Sequence, residues 1–436
     1  MPLLAAPIRQ IPCCELRLRL DRPPTAIVTD QPQPARVLLL LPSVPAWRIQ
    51  GRIWLDRKFR DGVAAMQSRW SGQIKVIMSV LELAEIPPFG AIEWREAAED
   101  FSVALSDPFD AVAAVAASGA ALVLASADDS RQLGVAAFCR TARIPCILII
   151  EYTLKTRVGM TVYDGRSWFP RLRTLVWLMR NELRLKKAIR MATSIQANGM
   201  PAFRAYPSTG VASHLFFDTR LPEAKVISEP ALEERLARAV ASRPIQLAFS
   251  GRLIRGKGAD ALVPLALVLR ERSTAFELHI YGSGELANTI QQAIDANHLH
   301  DSVRFHGAVD FDRVLMPALA EQVDLFVCCH RQGDPSCTYA ETLGCGVPIV
   351  GFDNEALESM VRAFDIGWTT PMGDVRQLAR RISEVSSHRS ELARKSRLAR
   401  QFALRHNFES AFRGRALHCT DVMSETRSGH RELQTS

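Results

Sequence analysis

Short apolar runs alternating with longer amphipathic stretches recur along most of this chain, in two successive series. The first series of strand candidates lies at residues 37–41, 74–79, 121–125, 145–150 and 194–197. The second lies at residues 245–250, 276–281, 303–306, 325–328, 348–351 and 367–369. Buried parallel strands joined by crossover helices produce this pattern. The sequence therefore predicts an α/β protein with two Rossmann-like, doubly wound domains facing each other across a cleft.

The chain has 436 residues, enough for two or three domains at roughly 100–200 residues each. Residues 1–35 carry seven prolines without any period, and we predict an extended amino-terminal arm. We predict a first Rossmann-like domain at 36–225, a charged linker at 226–243 and a second domain at 244–405. A carboxy-terminal helix is expected at 406–436, with a polar tail after Met423.

The composition narrows the class of protein. An apolar fraction of 47% with 23% charged residues excludes a disordered chain. The net charge of +8 is mild and suits anionic small molecules or an acidic membrane face better than nucleic acid. The nine cysteines are odd in number and contain no CxxC pair, so we expect free thiols in the cytoplasm. We find neither a secretory signal in residues 1–35 nor a membrane span.

A glycine-rich basic segment, residues 250–258, follows the first strand of the second series. Gly251 and the glycines after it allow close backbone approach, while Arg252 and Lys257 offer cationic donors that suit a diphosphate. Gly258 stands where a P-loop needs Ser or Thr, which excludes a P-loop NTPase. An ordinary basic turn remains the alternative explanation.

Two further motifs follow at strand ends. Gly282 lies in Tyr-Gly-Ser-Gly, but Ala287 replaces the third glycine of a dinucleotide fingerprint, which disfavours a nicotinamide cofactor. Residues 333–351 combine Asp334 with a helix start at Ser336, Cys337 and Thr338, whose amides are available to phosphate oxygens. About one turn into that helix, Glu341 could accept hydrogen bonds from vicinal hydroxyls such as those of a ribose.

The run from Gly251 to Thr370, about 120 residues, resembles the donor-nucleotide domain of a family 4 glycosyltransferase of the GT-B fold. The resemblance rests on Gly-Arg-Leu-x-x-x-Lys-Gly, Tyr-Gly-x-Gly, Val303-Arg-Phe-His-Gly307, Asp324-Leu-Phe-Val and Glu341-x-x-x-Cys-Gly-Val-Pro-Ile-Val-Gly, in this order. The first half agrees in its α/β rhythm and in Lys58-Phe and Phe217-Asp-Thr-Arg220, which are similar to a bacterial subgroup.

The resemblance implies transfer with retention of anomeric configuration from a nucleotide-sugar donor to a glycan or lipid-linked acceptor. Arg252, Lys257 and Asp334 would be the catalytic residues. The donor would be bound by Gly251, Gly282, Gly307, Ser336, Cys337, Thr338 and Glu341. The family spaces two glutamates eight apart, whereas Gly333 occupies the first place here and Asp334 is the nearest acid. A weakened GT-B protein that binds nucleotide sugar as a sensor or assembly subunit is therefore the alternative.

The first domain would form the acceptor side. Relatives often carry a histidine after about the fourth strand, where this chain has Ile149-Ile-Glu-Tyr-Thr-Leu-Lys155. Glu151 or Lys155 could line the acceptor side, or simply reach water. Gly51, in the long turn after the first strand, could face the donor phosphates.

No cofactor or metal is expected beside the nucleotide-sugar substrate. The one Asp-x-Asp, Asp310-Phe-Asp312, stands where a helix should begin. An N-cap explains Asp310 better than a metal ligand does.

Residues 166–190 alternate basic with apolar and aromatic residues. A helix of this kind could rest on an anionic membrane, or present a solvated basic face above a core stripe. No groove-reading motif accompanies the charge, so we do not expect nucleic-acid binding. We expect a cytoplasmic protein. Peripheral contact with the inner face of the cytoplasmic membrane is one of the two interpretations of this helix.

Overall fold

The computed structural model describes residues 36–87, 90–162, 168–206, 213–239 and 243–435, with residues 168–170 and 427–435 described by their backbone alone. The predicted arm, residues 1–35, lies outside these ranges. In this part of the chain, none of the helices combines the length and the apolar character that a bilayer crossing requires.

The first domain is an α/β unit built on one mostly parallel sheet. Its elements are β1 (Val37–Leu41), β2 (Ala46–Ile49), β3 (Arg52–Asp56), α1 (Arg57–Gln67), β4 (Gln73–Glu82), β5 (Ala91–Glu93), β6 (Ser102–Ser106), α2 (Ala111–Ser118), β7 (Leu122–Ser126), α3 (Val135–Ala142), β8 (Cys146–Ile150), α4 (Leu154–Val162), α5 (Trp168–Met191), β9 (Ser194–Asn198), α6 (Gly199–Ala205) and β10 (His214–Phe216).

The sheet of the first domain has the order β10-β9-β8-β7-β1-β4, and β6 pairs with β4 beyond it. Every residue of β7 and β9 is buried. Helices cover both faces, which explains why most of these strands are continuous apolar runs. A hairpin, β2 and β3, extends the far end of β4, and β5 pairs antiparallel with β3.

The second domain follows a short helix, α7 (Glu229–Arg238). Its elements are β11 (Ile245–Ser250), α8 (Leu262–Glu271), β12 (Phe276–Tyr281), α9 (Ala287–Ala296), β13 (Val303–Gly307), α10 (Met316–Gln322), β14 (Leu325–Cys328), α11 (Cys337–Gly344), β15 (Ile349–Phe352), α12 (Glu355–Phe364), β16 (Gly367–Thr370), α13 (Val375–Ser387), α14 (Arg389–Arg405) and α15 (Phe408–Thr435).

The second sheet is parallel throughout, with the order β13-β12-β11-β14-β15-β16. This is the Rossmann order, in which the chain reverses direction across the sheet between the first and fourth strands. The crevice above that switch point, at the carboxyl ends of β11 and β14, is where open α/β sheets bind ligands. Two Rossmann-like domains were predicted, and the structure confirms them.

The strand candidates of both series all overlap observed strands, but β2, β3, β5, β6 and β10 were not predicted. The prediction of a long turn after β1 was wrong. The chain forms a tight hairpin of β2 and β3 instead, and both residues of its tip, Gln50 and Gly51, have positive φ. Two such residues give the backbone twist that a two-residue hairpin needs. The helix predicted to begin at Asp310 opens as a π-helical turn, Phe311–Leu315, before α10.

The predicted linker contains α7, which docks on the second domain through one buried arginine. The guanidinium of Arg235, 1% exposed, donates to the carbonyl oxygens of Leu319, Ala320, Cys345 and Gly346 at 2.6–3.2 Å. These carbonyls lie at the ends of α10 and α11, where helices leave acceptors unpaired. Arg235 thereby joins α7 to both helices.

The carboxy-terminal helix α15 returns to the first domain and completes its core. Phe412, Cys419 and Val422 are buried there among β1, β4 and α1. Polar residues of β9 also pair with it: Gln196 Oε1 accepts from Arg415 Nε at 2.8 Å. The helical backbone continues through the polar residues after Met423 to Thr435.

We predict that Arg235→Ala lowers the free energy of unfolding by about 2–4 kcal/mol, because it leaves buried carbonyls unsatisfied. Chemical denaturation monitored by circular dichroism measures the change. Arg238→Ala is the matched control, since Arg238 lies one turn away with half of its side chain exposed; we expect a change within about 0.5 kcal/mol. Equal effects of the two substitutions would contradict the role assigned to Arg235.

Candidate functional site

The switch point of the second sheet holds a buried ion pair. The turn after β11 brings in Lys257, whose side chain is 8% exposed and whose Nζ donates to Asp334 Oδ2 at 2.7 Å. Asp334 comes from the loop after β14. The two loops are also joined by backbone, because the carbonyl of Gly256 accepts from the amides of Arg331 and Gln332. Two of the three predicted catalytic residues, Lys257 and Asp334, are thus in direct contact.

Gly258 shows why this turn is glycine-rich. Its φ is +69°, and a Cβ built there would lie 1.9 Å from the carbonyl oxygen of Cys329. Only glycine fits such a position without moving the backbone. The close approach of the two loops therefore depends on this residue.

Two buried polar atoms beside the pair have no hydrogen-bond partner among the described residues. One is Asp334 Oδ1 and the other is Nε2 of His330. Burial and then the charge of Lys257 lower the pKa of His330 well below its ordinary value, so its ring is neutral. Buried polar atoms are nearly always paired in folded proteins, and unpaired ones mark places where a ligand or water binds. Asp334 therefore keeps one acceptor available.

Helix α11 begins directly beside this pair. Ser336 is its N-cap residue, with extended backbone and without a capping hydrogen bond from its own side chain. The Ser336 hydroxyl instead donates to Thr338 Oγ1 at 3.2 Å. The first amides of a helix have no acceptor within the helix and carry the positive end of its dipole. The predicted phosphate-binding residues, Ser336 to Thr338, thus lie at an electropositive helix start.

Glu341 lies one turn further along α11 and is almost fully buried. Its Oε1 accepts from Arg220 Nε at 3.1 Å, and the Arg220 guanidinium stacks 4.3 Å from the ring centroid of Phe311. Burial raises the pKa of Glu341 above its ordinary value, and the charge of Arg220 opposes that shift. Glu341 is thus a positioned acceptor at the edge of the switch-point crevice.

The predicted glycines lie along the carboxyl ends of three adjacent strands. The amide of Gly251 donates to Tyr281 O at 3.1 Å, and the amide of Gly282 donates to Gly307 O at 2.7 Å. Arg252 is exposed next to Gly251 and has no ion pair within the described ranges. Backbone groups and one cation thus line this edge beside the Lys257–Asp334 pair.

The first domain contributes residues to the same cleft. Thr156 Oγ1 donates to the carbonyl of Gly333 at 3.2 Å, and a Cβ on Gly199 would lie 2.9 Å from Pro335. The loop that carries Asp334 is therefore held between the two domains. Its position depends on residues from both halves of the chain.

Lys58, at the start of α1, links the first domain to α11. Its ammonium pairs with Asp218 and lies 3.2 Å from Cys337 Sγ. Burial lowers the pKa of Lys58, but Asp218 and Cys337 together raise it above the ordinary value, so the group stays charged. Lys58, Asp218 and Arg220 were not predicted as site residues, although they lie within the two motifs that marked the bacterial subgroup. Those two motifs were the sequence signal from which these three residues could have been predicted.

Glu151 lies at the carboxyl end of β8 in an acidic surrounding. Its amide donates to Asp128 Oδ2 at 2.7 Å. Burial raises the pKa of the Glu151 carboxyl to about 7, and Asp128 and Asp218 push it in the same direction, while Tyr152 and Lys58 oppose the shift. Glu151 can therefore exchange a proton near neutral pH, as a residue facing an acceptor hydroxyl could.

The other two acceptor-side candidates are placed differently. Lys155 is exposed on α4. Gly51 is exposed at the hairpin tip, where a Cβ would meet no atom within 4 Å. In the described part of the chain neither has a side-chain hydrogen bond or ion pair to the residues above, and a role for either stays a prediction.

Asp310 caps the π-helical turn, as predicted. Its Oδ1 accepts from the amide of Arg313 at 2.7 Å, and Asp312 pairs with Lys225. Among the described residues, no group of three or more His, Cys, Asp or Glu side chains is arranged to hold a metal ion. Metal independence stays a prediction.

Comparison with known proteins identifies the second domain. Residues 233–402 match the family model "Glycosyl transferases group 1". The second domain is therefore similar to the group 1 glycosyltransferases. Family 4 in particular stays a prediction.

Two curated relatives share part of the chain. The Escherichia coli (strain K12) protein WcaL, named as a colanic acid biosynthesis glycosyltransferase, is 26% identical over 187 residues, 40% of this chain and 44% of its own length. The amylovoran biosynthesis glycosyltransferase AmsK of Erwinia amylovora is 22% identical over 162 residues, 34% of this chain and 38% of its own length. The matched part thus spans less than half of either relative.

The fold as a whole is GT-B. The crystal structure of Anabaena Alr3699/HepE in complex with UDP superposes with a TM-score of 0.55 at 17% identity, covering 90% of this chain and 100% of that one. A glycosyltransferase structure from Rickettsia africae gives the same TM-score at 11% identity, covering 90% of this chain and 98% of that one. The chain therefore shares the two-domain architecture of these two structures over 90% of its length.

We predict that Glu151→Gln makes the protein more stable at pH 8 than the wild type, and not at pH 5. A folded pKa of about 7 against an ordinary value of 4.5 means that folding takes up a proton between these values. That stabilisation is present below pH 4.5 and is lost as the pH rises through 7. The gain at pH 8 should reach up to about 3 kcal/mol in the free energy of unfolding.

Urea denaturation of both proteins at pH 5, 6, 7 and 8 measures this difference. Glu358→Gln is the matched glutamate-to-glutamine control, because Glu358 is a partly exposed helix residue that pairs with Arg362 away from the site. A stability difference between Glu151→Gln and wild type that is constant across this range would contradict the raised pKa.

Proposed function

We propose that this protein is a retaining glycosyltransferase that moves a sugar from a nucleotide-diphosphate sugar to a glycan or lipid-linked acceptor. The observation that carries the proposal is the desolvated Lys257–Asp334 pair beside the amino-terminal end of α11, at the switch point of a group 1 glycosyltransferase domain. The names of WcaL and AmsK support polysaccharide biosynthesis as the setting. Unpaired thiols among the described cysteines suit the cytoplasm.

The chemistry follows from charge placement. As the glycosidic bond to the donor phosphate breaks, negative charge accumulates on the leaving diphosphate. Lys257, Arg252 and the first amides of α11 would stabilise that charge in a site with little water. Asp334 Oδ1 would accept from a sugar hydroxyl, and Glu341 from the ribose. Glu151 would face the acceptor from the other domain.

The alternative, a weakened protein that only binds nucleotide sugar, has less support. It was motivated by the seven-residue spacing between Asp334 and Glu341. The structure places the Asp334 carboxylate in contact with Lys257 in spite of that spacing. Turnover of a sugar donor distinguishes the two functions, because a sensor would bind without releasing product.

We predict that Lys257→Ala and Glu341→Ala each lower the transfer rate at least 100-fold while the protein remains folded, since each removes a charged group from the donor site. Donor turnover with a soluble acceptor, measured beside a circular dichroism melt, tests this. Lys225→Ala is the matched control, because Lys225 is exposed and pairs with Asp312 outside the site. Full activity in either site variant would overturn the assignment.

We predict that one nucleotide among UDP, GDP and ADP, or its sugars, raises the melting temperature, and that EDTA leaves the rise unchanged. A ligand at about 100 times its dissociation constant adds about 2.7 kcal/mol of stability. UDP is the first to test, because a structural neighbour was solved with it. No rise with any nucleotide would overturn donor binding, and a rise that EDTA abolishes would overturn metal independence.

A further inference from the structure

Helix α5 packs on the first domain through one face only. Leu185, Ala188 and Ile189 on this face are buried in the core that lies around β7 and β8. Leu178 is buried on the same side. This apolar face therefore accounts for the attachment of the helix to its own domain.

The opposite face of α5 carries a second apolar stripe that no described residue covers. Leu172, Val176, Met179 and Leu183 are spaced four, three and four residues apart, so they lie on one line along three turns. They and the adjacent Trp177 are between 45% and 71% exposed. The core-stripe explanation of the sequence pattern accounts for the buried face but not for this one. Exposed apolar patches of this kind mark interaction surfaces.

The charges around the stripe all have one sign. Arg173, Arg180, Arg184 and Lys187 are exposed beside it. The one acidic residue of α5, Glu182, is buried and accepts from Arg157 at 3.2 Å and from the Tyr206 hydroxyl. The exposed side of the helix thus combines an apolar ridge with positive charge that no acidic residue among those described here neutralises.

We propose that this face of α5 docks on a lipid bilayer with anionic headgroups. Arginine and lysine beside the ridge would meet the headgroups, while the apolar side chains and Trp177 enter the interfacial region. A second copy of the chain is disfavoured as the partner, since pairing two such faces would bring their positive charges together. Nucleic acid offers nothing to the apolar ridge. A fluid bilayer adapts to a convex helix, whereas a protein partner would need a matching groove.

Hydrogen bonds connect α5 to the acceptor side of the cleft, where the acceptor role rests on the proposed function. Arg157 donates to both Glu182 on α5 and Asp128, whose side chain also binds the amide of Glu151. The bilayer would therefore lie on the acceptor side of the cleft, within reach of a lipid-linked acceptor. Docking itself does not depend on this consequence.

Flotation of the full-length protein with vesicles tests the proposal. We expect binding to phosphatidylcholine vesicles that contain about a third phosphatidylglycerol, weak binding to phosphatidylcholine alone, and release by high salt. The variant Met179→Gln with Leu183→Gln removes the ridge, and Arg180→Glu with Arg184→Glu and Lys187→Glu reverses the charge. Each variant should weaken binding at least tenfold. The charge reversal does so because each basic residue near an anionic surface contributes roughly fivefold in affinity. The ridge variant does so because it removes apolar side chains that enter the interfacial region.

Matched controls separate this surface from general loss of charge or apolar area. Leu417→Gln removes a similarly exposed leucine from α15, and Arg376→Glu with Arg380→Glu and Arg381→Glu reverses three surface charges on α13. Both should bind vesicles like the wild type. Nucleotide-induced melting shifts should be the same in all variants, so a failure of docking is distinguishable from a failure of donor binding.

Several results would overturn the proposal. Equal binding to neutral and anionic vesicles would exclude headgroup recognition, and unchanged binding of both α5 variants would exclude this face. A dimer in size-exclusion chromatography that Met179→Gln with Leu183→Gln dissociates would assign the stripe to a second copy of the chain. Wild-type protein that fails to bind vesicles of either kind would leave the face to a protein partner.

Discussion

The buried contact between Lys257 and Asp334 organises the carboxyl edge of the second sheet. A desolvated ammonium is costly unless a carboxylate pairs with it, so the loops after β11 and β14 must meet. Gly258 allows the backbone approach that this meeting requires. The start of α11 and Glu341 then follow within the next turn of chain. The candidate site of the second domain is arranged around this one pair.

The first domain holds that arrangement from the other side. Thr156 and Gly199 contact the loop that carries Asp334, and Lys58 reaches the first turn of α11. Helix α15 crosses back and fills the core beneath β1 and β4. The two domains are therefore joined by the chain, by α15 and by contacts at the candidate site. A change in their relative position would alter the surroundings of Lys257 and Glu341 together.

Charge is distributed unevenly across the cleft. The second domain offers cations and helix amides, which suit a diphosphate, whereas the first domain places Glu151, Asp128 and Asp218 close together. Two of these carboxylates have a cationic partner: Asp128 pairs with Arg157, and Asp218 pairs with Lys58. Glu151 has no such partner among the described residues, and burial together with the charges of Asp128 and Asp218 raises the pKa of its carboxyl to about 7. The same Arg157 connects this acidic group to α5 and its exposed face.

The sequence by itself determined the two α/β domains, the strands of the second sheet and the residues along its edge, because buried parallel strands require apolar runs and tight loop contacts require glycine. It did not determine the hairpin after β1, the continuation of α15 or the pairing of Lys58 with α11. The pairing of Lys58 and the docking of α15 depend on partners far away in the chain, Asp218 for Lys58 and Gln196 for Arg415. The exposed stripe of α5 has the same origin: periodicity identifies an apolar face, but only packing decides which apolar face the core covers.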